Sequence, residues 1–179
     1  MKDALRKQIR LLKGQNENKV SKEKIIAEKL LSMPEIVNAD SVFIYLAKSG
    51  EVATENIIER LISDGKKVYV PKTVGQDMFA VEYKPPFVTT KFGTVEPENL
   101  SVAKSICVTV TPLVAVDRHF NRLGYGKGFY DRFFATDIGE KSFKVGVCFN
   151  FQVVEDITPD KFDKTLDAIV SEEILLRRN

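Results

Sequence analysis

VFIYLAKSGEVATENIIERLISDGKKVYVP, residues 42–71, has the pattern of a strand–helix–strand unit. Residues 42–46 and 67–71 are short apolar runs rich in β-branched and aromatic residues, which is typical of buried strands. Thr54 is placed to cap a helix between these runs, and Gly65 is placed to end it. Two strands joined by one helix pair in parallel through a right-handed crossover. This stretch therefore predicts an α/β fold.

The rest of the chain continues the alternation of strands and helices. Further helices are expected over residues 2–13, 21–33 and 128–134, with Pro34 interrupting or restarting the second. Further strands are expected over residues 78–83, 105–112 and 144–149, with 167–171 as the last strand, and residues 84–100 are expected to form a long loop. We predict one domain over residues 1–179. Its architecture is three-layer and Rossmann-like, a mostly parallel (mixed) sheet with helices on both faces.

The composition excludes several classes of chemistry. The 179 residues include 27 Lys and Arg against 25 Asp and Glu, a net charge of +2 that is too balanced to indicate a nucleic-acid binder. A single histidine and two cysteines cannot build a four-ligand His/Cys zinc site. Both cysteines, Cys107 and Cys148, lie in apolar runs and are expected to be buried strand thiols. His119 is expected to be a surface residue and not a general base.

The amino-terminal residues also bear on location. The opening MKDALRKQIRLLKG is charged and has no apolar core of the kind that secretory signals carry. No stretch approaches the ~18 apolar residues of a transmembrane helix. We therefore expect a cytoplasmic protein without a membrane partner.

A second stretch, NRLGYGKGFYDR at residues 121–132, carries the chemistry. Its three glycines fall within five positions between a predicted strand and a predicted helix, and glycine lets successive N–H groups turn towards one anion. The helix start adds partial positive charge, and Arg122 and Lys127 add full charges. Asp131 in the first helical turn could hold magnesium. The stretch is typical either of a phosphate and metal site or of a flexible surface turn with incidental charges.

Longer motifs distinguish these two interpretations. The string RLGYGKGFYDR, after a strand ending in TPLVAVD, resembles the signature of the 5-formyltetrahydrofolate cyclo-ligase (5,10-methenyltetrahydrofolate synthetase) family. The opening KDALR, the segment from Tyr45 to Thr54, and Asp167 in TLDAIVSEE also resemble that family in the same order, so the resemblance covers essentially the whole chain. The sequence departs from the family at Phe129, where a tyrosine is usual.

The resemblance implies an ATP- and Mg²⁺-dependent conversion of 5-formyltetrahydrofolate to 5,10-methenyltetrahydrofolate. In the implied mechanism, ATP phosphorylates the formyl oxygen, the nitrogen at position 10 attacks the activated carbon, and ADP and phosphate are released. Such chemistry asks the protein mainly for positioning and charge stabilisation. The implied partners are the small-molecule folate, with or without a polyglutamate tail, and no nucleic acid. The protein is expected to be a monomer.

The resemblance also implies roles for particular residues. Those implied to be catalytic are Lys127, Arg122 and Tyr130. Those implied to bind ATP are Lys2, Asp3, Ala4, Leu5, Arg6, Arg122, Leu123, Gly124, Tyr125, Gly126, Lys127, Gly128, Phe129 and Tyr130. Those implied to bind the folate are Leu46, Glu51, Tyr125, Gly126, Lys127, Gly128 and Phe129, and those implied to hold magnesium are Asp131 and Asp167.

Two other functions fit parts of the sequence. An α/β domain with an anion-binding loop could be a sugar-phosphate isomerase, which needs no ATP. The basic stripe of the first helix, which includes Lys2, Arg6 and Lys13, would suit a non-catalytic nucleotide- or RNA-binding module, although such a stripe is more often a solvated face. The aromatic residues Tyr83, Phe87 and Phe92 could line a flat slot but are expected to pack in the core or anchor a loop.

Overall fold

The computed structural model describes residues 2–89 and 95–178, and its main element is a seven-stranded sheet. The α-helices of these residues are α1 (Lys2–Lys13), α2 (Lys19–Leu31), α3 (Pro34–Val37), α4 (Glu55–Ser63), α5 (Phe129–Phe134) and α6 (Asp137–Lys141). The strands are β1 (Ser41–Ile44), β2 (Lys67–Val74), β3 (Asp77–Glu82), β4 (Phe87–Thr89), β5 (Val95–Pro97), β6 (Val108–Thr111), β7 (Ala115–Asp117), β8 (Arg122–Leu123), β9 (Phe143–Val147), β10 (Val153–Val154), β11 (Ala168–Val170) and β12 (Leu175–Arg177). A 3-10 turn spans Asn150–Gln152.

The sheet is mixed and mostly parallel, as predicted. Its strand order is β12-β11-β9-β6-β1-β2-β3. The four inner pairs are parallel, including the predicted β1–β2 pair in which Val42 lies opposite Val68. The two edge strands, β12 and β3, pair antiparallel to their neighbours. Neighbouring parallel strands therefore place their carboxyl ends at the same edge of the sheet.

The side chains of β1 show how the three layers form. Val42 and Ile44 are fully buried in the core that α2, α3 and α4 cover, whereas Phe43 between them packs in a second core with residues of α5. The ring centroids of Phe43 and Phe133 are 4.7 Å apart. Since successive side chains of a strand point to opposite faces, helices cover both faces of the sheet, and the predicted three-layer architecture is confirmed.

A second, three-stranded sheet lies beside the main one. Its order is β10-β7-β8, with β7 and β8 forming an antiparallel hairpin. Helix α1 packs against this small sheet through Ile9, which shares a core cluster with Ala115 and Leu123. The sequence analysis missed this sheet because strands of two or three residues are too short to show a period of two.

Several other predictions need correction. Residues 84–100 are not simply a loop, since β4 and β5 pair there; Phe92 lies outside the described residues. Residues 167–171 are not the last strand, because β12 follows. Helix α2 starts at Lys19, after Asn18 in a left-handed conformation, and not at residue 21. Cys148 is buried as expected, but Cys107 is exposed because it precedes β6 and lies outside the sheet core.

Within the described part of the chain, the helices are too short or too polar to cross a bilayer.

Candidate active site

Three chain segments meet at the carboxyl end of β1, the edge where open α/β sheets bind ligands. The loop after β1, residues 45–54, faces the glycine-rich stretch that follows the β7–β8 hairpin. Helix α1 reaches the same stretch from its own side. The Arg6 Nε donates to the carbonyl oxygen of Gly124 at 3.1 Å, and the Lys13 Nζ donates to the Tyr125 hydroxyl at 3.0 Å. Helix α1, whose residues 2–6 the family resemblance implied to bind ATP, thus contacts the glycine-rich stretch.

Thr54 shapes the loop after β1, but not in the way predicted. It stands at the N-cap position of α4, yet its side chain makes no capping hydrogen bond. The Thr54 hydroxyl instead donates to the carbonyl oxygen of Tyr45 at 2.9 Å and accepts from the Ala47 N–H at 3.2 Å. These two bonds close the loop between the end of β1 and the start of α4, which fixes where the loop residues lie.

Glu51 is the buried anion of this loop. It is only 7% exposed, and its Oε2 accepts from the backbone N–H of Lys48 at 2.7 Å. Burial raises the pKa values of Tyr45 and Tyr130, and the nearby Glu51 carboxylate raises them further. Both tyrosines therefore stay protonated at neutral pH; the Tyr45 hydroxyl donates to the carbonyl oxygen of Val52 at 2.8 Å, and the Tyr130 hydroxyl can act as a donor near Glu51.

The glycine-rich stretch requires glycine at two positions. Gly126 has φ 94° and Gly128 has φ 66°, values at which side chains with a Cβ are strained. A Cβ at Gly128 would also come within 2.9 Å of an Arg132 guanidinium nitrogen. The exposed Lys127 stands between these glycines, so the turn presents its ammonium group at the protein surface. Helix α5, which begins directly after this stretch, has six residues.

Arg122 lies beneath this stretch, almost entirely buried. Its side chain is 3% exposed, and its Nη2 donates to the Asp131 carboxylate at 2.9 Å. The guanidinium carbon lies 5.6 Å from the ring centroid of Tyr130 and 6.0 Å from that of Phe134. In residues 2–89 and 95–178, the Arg122 Nε is the buried side-chain atom without a hydrogen-bond partner. Arg122 therefore brings a donor that protein groups leave unsatisfied.

The structure does not bring the two predicted metal ligands into one preformed site. Asp131 binds Arg122, while Asp167 accepts from the backbone N–H of Lys144 at 2.8 Å and lies 2.9 Å from Arg178. Asp167 directly precedes β11, at the amino ends of the parallel strands. Among the described residues, no three His, Cys, Asp or Glu side chains are grouped so that they could hold a metal. Phosphate oxygens would have to supply most of the ligands of a magnesium ion at Asp131.

The amino-terminal residues of α1 have partners of their own. The Lys2 Nζ lies 2.7 Å from Asp160 and 2.6 Å from Asp163, so Lys2 reaches phosphate only by leaving these carboxylates. Asp3 pairs with Arg6 at 2.6 Å. Of the two other predicted residues of α1, Leu5 packs against the core beneath the helix, and Ala4 is exposed.

The remaining predicted residues take places in the packing. Leu46 is partly buried against the main core, and Leu123 is buried under α1. The Arg132 guanidinium carbon lies 5.2 Å from the ring centroid of Phe129. Tyr83 and Phe87 have ring centroids 4.8 Å apart, in agreement with a packing role. His119 is exposed, as expected.

Sequence reasoning missed two residues, Asp117 and Lys13. Asp117 is completely buried at the end of β7, and its carboxylate accepts from four N–H groups. Three come from the β7–β8 turn, and the fourth, at 2.9 Å, comes from Ile157. The only signal in the sequence was an acid directly before a turn, a place where acids are common. Asp117 therefore anchors the hairpin that leads to Arg122.

Comparison with known proteins gives consistent matches. A family model described as the 5-formyltetrahydrofolate cyclo-ligase family matches residues 1–172. The 5-formyltetrahydrofolate cyclo-ligase of Escherichia coli K12 is 32% identical over 155 residues, covering 81% of this chain and 85% of the relative. The probable 5-formyltetrahydrofolate cyclo-ligase of Schizosaccharomyces pombe is 30% identical over 172 residues, covering 85% and 84%. The NMR structure of Aquifex aeolicus 5,10-methenyltetrahydrofolate synthetase superposes with a TM-score of 0.86 at 27% identity, covering 98% of this chain and 92% of that one.

Proposed function

We propose that this chain, which belongs to the 5-formyltetrahydrofolate cyclo-ligase family, consumes ATP and requires Mg²⁺ when it converts 5-formyltetrahydrofolate to 5,10-methenyltetrahydrofolate. Membership of this enzyme family leaves no role for the alternatives of a sugar-phosphate isomerase or a non-catalytic nucleic-acid module. We also propose a cytoplasmic monomer that accepts the folate with or without a polyglutamate tail. The observation that carries the proposal is the convergence of cationic side chains on the glycine-rich stretch, beside the buried Glu51.

The proposed reaction has two steps. The formyl oxygen attacks the γ-phosphorus of ATP, the bond to the β-phosphate oxygen breaks, and ADP leaves. The nitrogen at position 10 then attacks the activated formyl carbon and loses its proton, and the bond from carbon to the phosphorylated oxygen breaks as phosphate leaves. Both steps use groups that the substrates supply. The proposed reaction therefore needs no covalent nucleophile from the protein, which agrees with a sequence that contains one histidine.

The residues support this chemistry by position and charge. We propose that the N–H groups of residues 124–128 and the side chains of Arg6 and Lys127 bind the phosphates, because glycines and cations suit oxyanions. The unsatisfied Nε of Arg122 can donate to a phosphate, and the protonated Tyr130 can donate beside it. Glu51 accepts from the N–H groups of the folate ring. When bound, magnesium would neutralise charge on the transferring phosphoryl group; Asp131 and phosphate oxygens would hold it, whereas Asp167 lies at the amino ends of the parallel strands.

The assay for the proposal follows the ultraviolet absorbance of the methenyl product. We expect absorbance to rise only when 5-formyltetrahydrofolate, ATP and magnesium are all present, with one ADP released per product formed. Omitting ATP, or chelating magnesium, serves as the control. A rise without ATP, or no rise with all three components, would contradict the proposal.

Asp131→Asn tests the proposed metal ligand. We expect the magnesium concentration for half-maximal rate to rise roughly tenfold, about 1.4 kcal/mol, because one anionic ligand is lost. Magnesium titrations at saturating ATP measure this shift, and Asp167→Asn is compared in the same way. Thermal melting separates this effect from the loss of the Arg122 ion pair. An unchanged titration would mean that Asp131 serves only Arg122 and the start of α5.

A further inference from the structure

The Lys13 side chain contacts other segments of the site, although its sequence pattern is the same as that of the other residues of the basic stripe. It is the last residue of α1, and its aliphatic part lies on the loop after β1: a Cβ at Gly50 would come within 3.3 Å of the Lys13 Cδ. Gly50 has φ +81°, so this close approach uses a backbone conformation that favours glycine. The carboxyl end of α1 and the loop after β1, which are distant in sequence, thus contact each other through the aliphatic part of Lys13.

The ammonium end of Lys13 is directed at Tyr125. Its Nζ donates to the Tyr125 hydroxyl at 3.0 Å and lies 5.3 Å from the ring centroid. Tyr125 is 53% exposed as a residue, and its hydroxyl lies beside Lys13 and Glu51. Burial raises the pKa of Tyr125, and Glu51 raises it further by its charge and by hydrogen bonding. The hydroxyl therefore stays protonated, accepts from Lys13 and lies near the Glu51 carboxylate.

We infer that Lys13 and Tyr125 are positioning residues that orient the Glu51 carboxylate for the folate ring and so set the affinity for folate. The contacts link α1, the glycine-rich stretch and the loop after β1 in the order Lys13–Tyr125–Glu51, which we call the Lys13 relay. A carboxylate has about four lone-pair positions, so Glu51 can bind Lys48 N–H and Tyr125 and still accept from a ligand. This inference rests on the proposed function, in which Glu51 contacts the folate.

The Lys13 relay has a defined pH dependence. Burial lowers the pKa of Lys13, Glu51 raises it in part, and Lys19 lowers it. The charged and titratable groups that face Lys13 are Glu51, Tyr125 and Lys19. Lys13 therefore loses its proton at a lower pH than an exposed lysine does, and the relay weakens as the pH rises towards that value. Folate affinity in the wild type is expected to fall at alkaline pH for this reason.

The test compares Lys13→Met, Tyr125→Phe and the double variant by steady-state kinetics with both substrates. We expect each single variant to raise the KM for 5-formyltetrahydrofolate about tenfold, because hydrogen bonds to charged groups are among the stronger ones. The KM for ATP and kcat should stay within about twofold. The double variant should be no worse than either single one, since both remove the same connection. Lys13→Met should also lose the alkaline rise in folate KM that the wild type shows.

Two controls make each outcome decisive. Arg10→Met removes a positive charge from an exposed position of the same helix and should leave every constant unchanged. Glu51→Gln tests the premise, because it should raise the folate KM if Glu51 contacts the folate. A response to Glu51→Gln without a response to Lys13→Met would overturn the Lys13 relay alone. No response to Glu51→Gln would contradict the proposed folate position itself. An equal rise in both KM values for Lys13→Met would indicate a general structural role and would also overturn the inference.

Discussion

Lys127→Ala is expected to lower kcat by about 100- to 1,000-fold, because removing one preorganised group that stabilises developing charge typically has this effect. Lys127 stands between two glycines of positive φ, Gly126 and Gly128, in a turn whose carbonyl at Gly124 binds Arg6. The turn therefore fixes the position of the Lys127 backbone before ATP arrives. Since the charge of Lys127 is expected to matter most in the transition state, the KM for 5-formyltetrahydrofolate should rise far less than kcat falls.

The measurement is steady-state kinetics with each substrate in turn. Lys127→Arg retains the charge and is expected to recover part of the lost rate. Lys141→Ala is the matched control, because Lys141 forms an exposed surface pair with Asp137, and its side chain is 72% exposed. Such pairs are worth little, so this variant should keep wild-type kinetics. A Lys127→Ala enzyme with unchanged kcat and a higher folate KM would show that Lys127 binds folate and has no role in phosphoryl transfer.

Asp117→Ala is expected to cost about 3 kcal/mol of stability, because it leaves one buried and three partly buried N–H groups without their acceptor. For a chain of this size, that loss lowers the melting temperature by roughly 6–12 °C. The turn after β7 should loosen first, since three of the four donors lie within it. Because the same hairpin leads to Arg122, activity below the melting temperature should also fall.

Thermal and denaturant unfolding measure this loss. Asp156→Ala is the matched control: Asp156 is an exposed acid next to Ile157, and its removal should change stability by no more than about 0.5 kcal/mol. Asp117→Asn keeps the side-chain shape, but its amide N–H₂ is a donor that would face the N–H donors of Asn121 or Ile157. We therefore expect the Asp117→Asn protein to be less stable than the wild type as well. An Asp117→Ala protein that melts like the wild type would mean that water replaces the carboxylate, and that Asp117 does not anchor the hairpin.

The parts of the fold that were predicted correctly are those with long local patterns. The strand–helix–strand unit of residues 42–71 needed only apolar runs, a helical period and a glycine stop, and these patterns lie in contiguous residues. The same holds for α1 and for the turn of residues 121–132. Elements such as β4, β8 and β12 have two or three residues each, so their existence depends on pairing with distant strands. No local pattern could have revealed them.

The candidate site likewise has features that local sequence determines and features that only tertiary contacts determine. The sequence by itself determined the glycine-rich turn and its charges, because both depend on contiguous residues, and the resemblance of its motifs to a family indicated the class of chemistry. Only the tertiary structure decided the partners: Asp131 with Arg122, Lys2 with Asp160 and Asp163, and Lys13 with Tyr125. It also gave Thr54 a role other than capping. The physical reason is that a side chain's role follows from its neighbours, and these neighbours come from segments up to 161 residues apart in the chain.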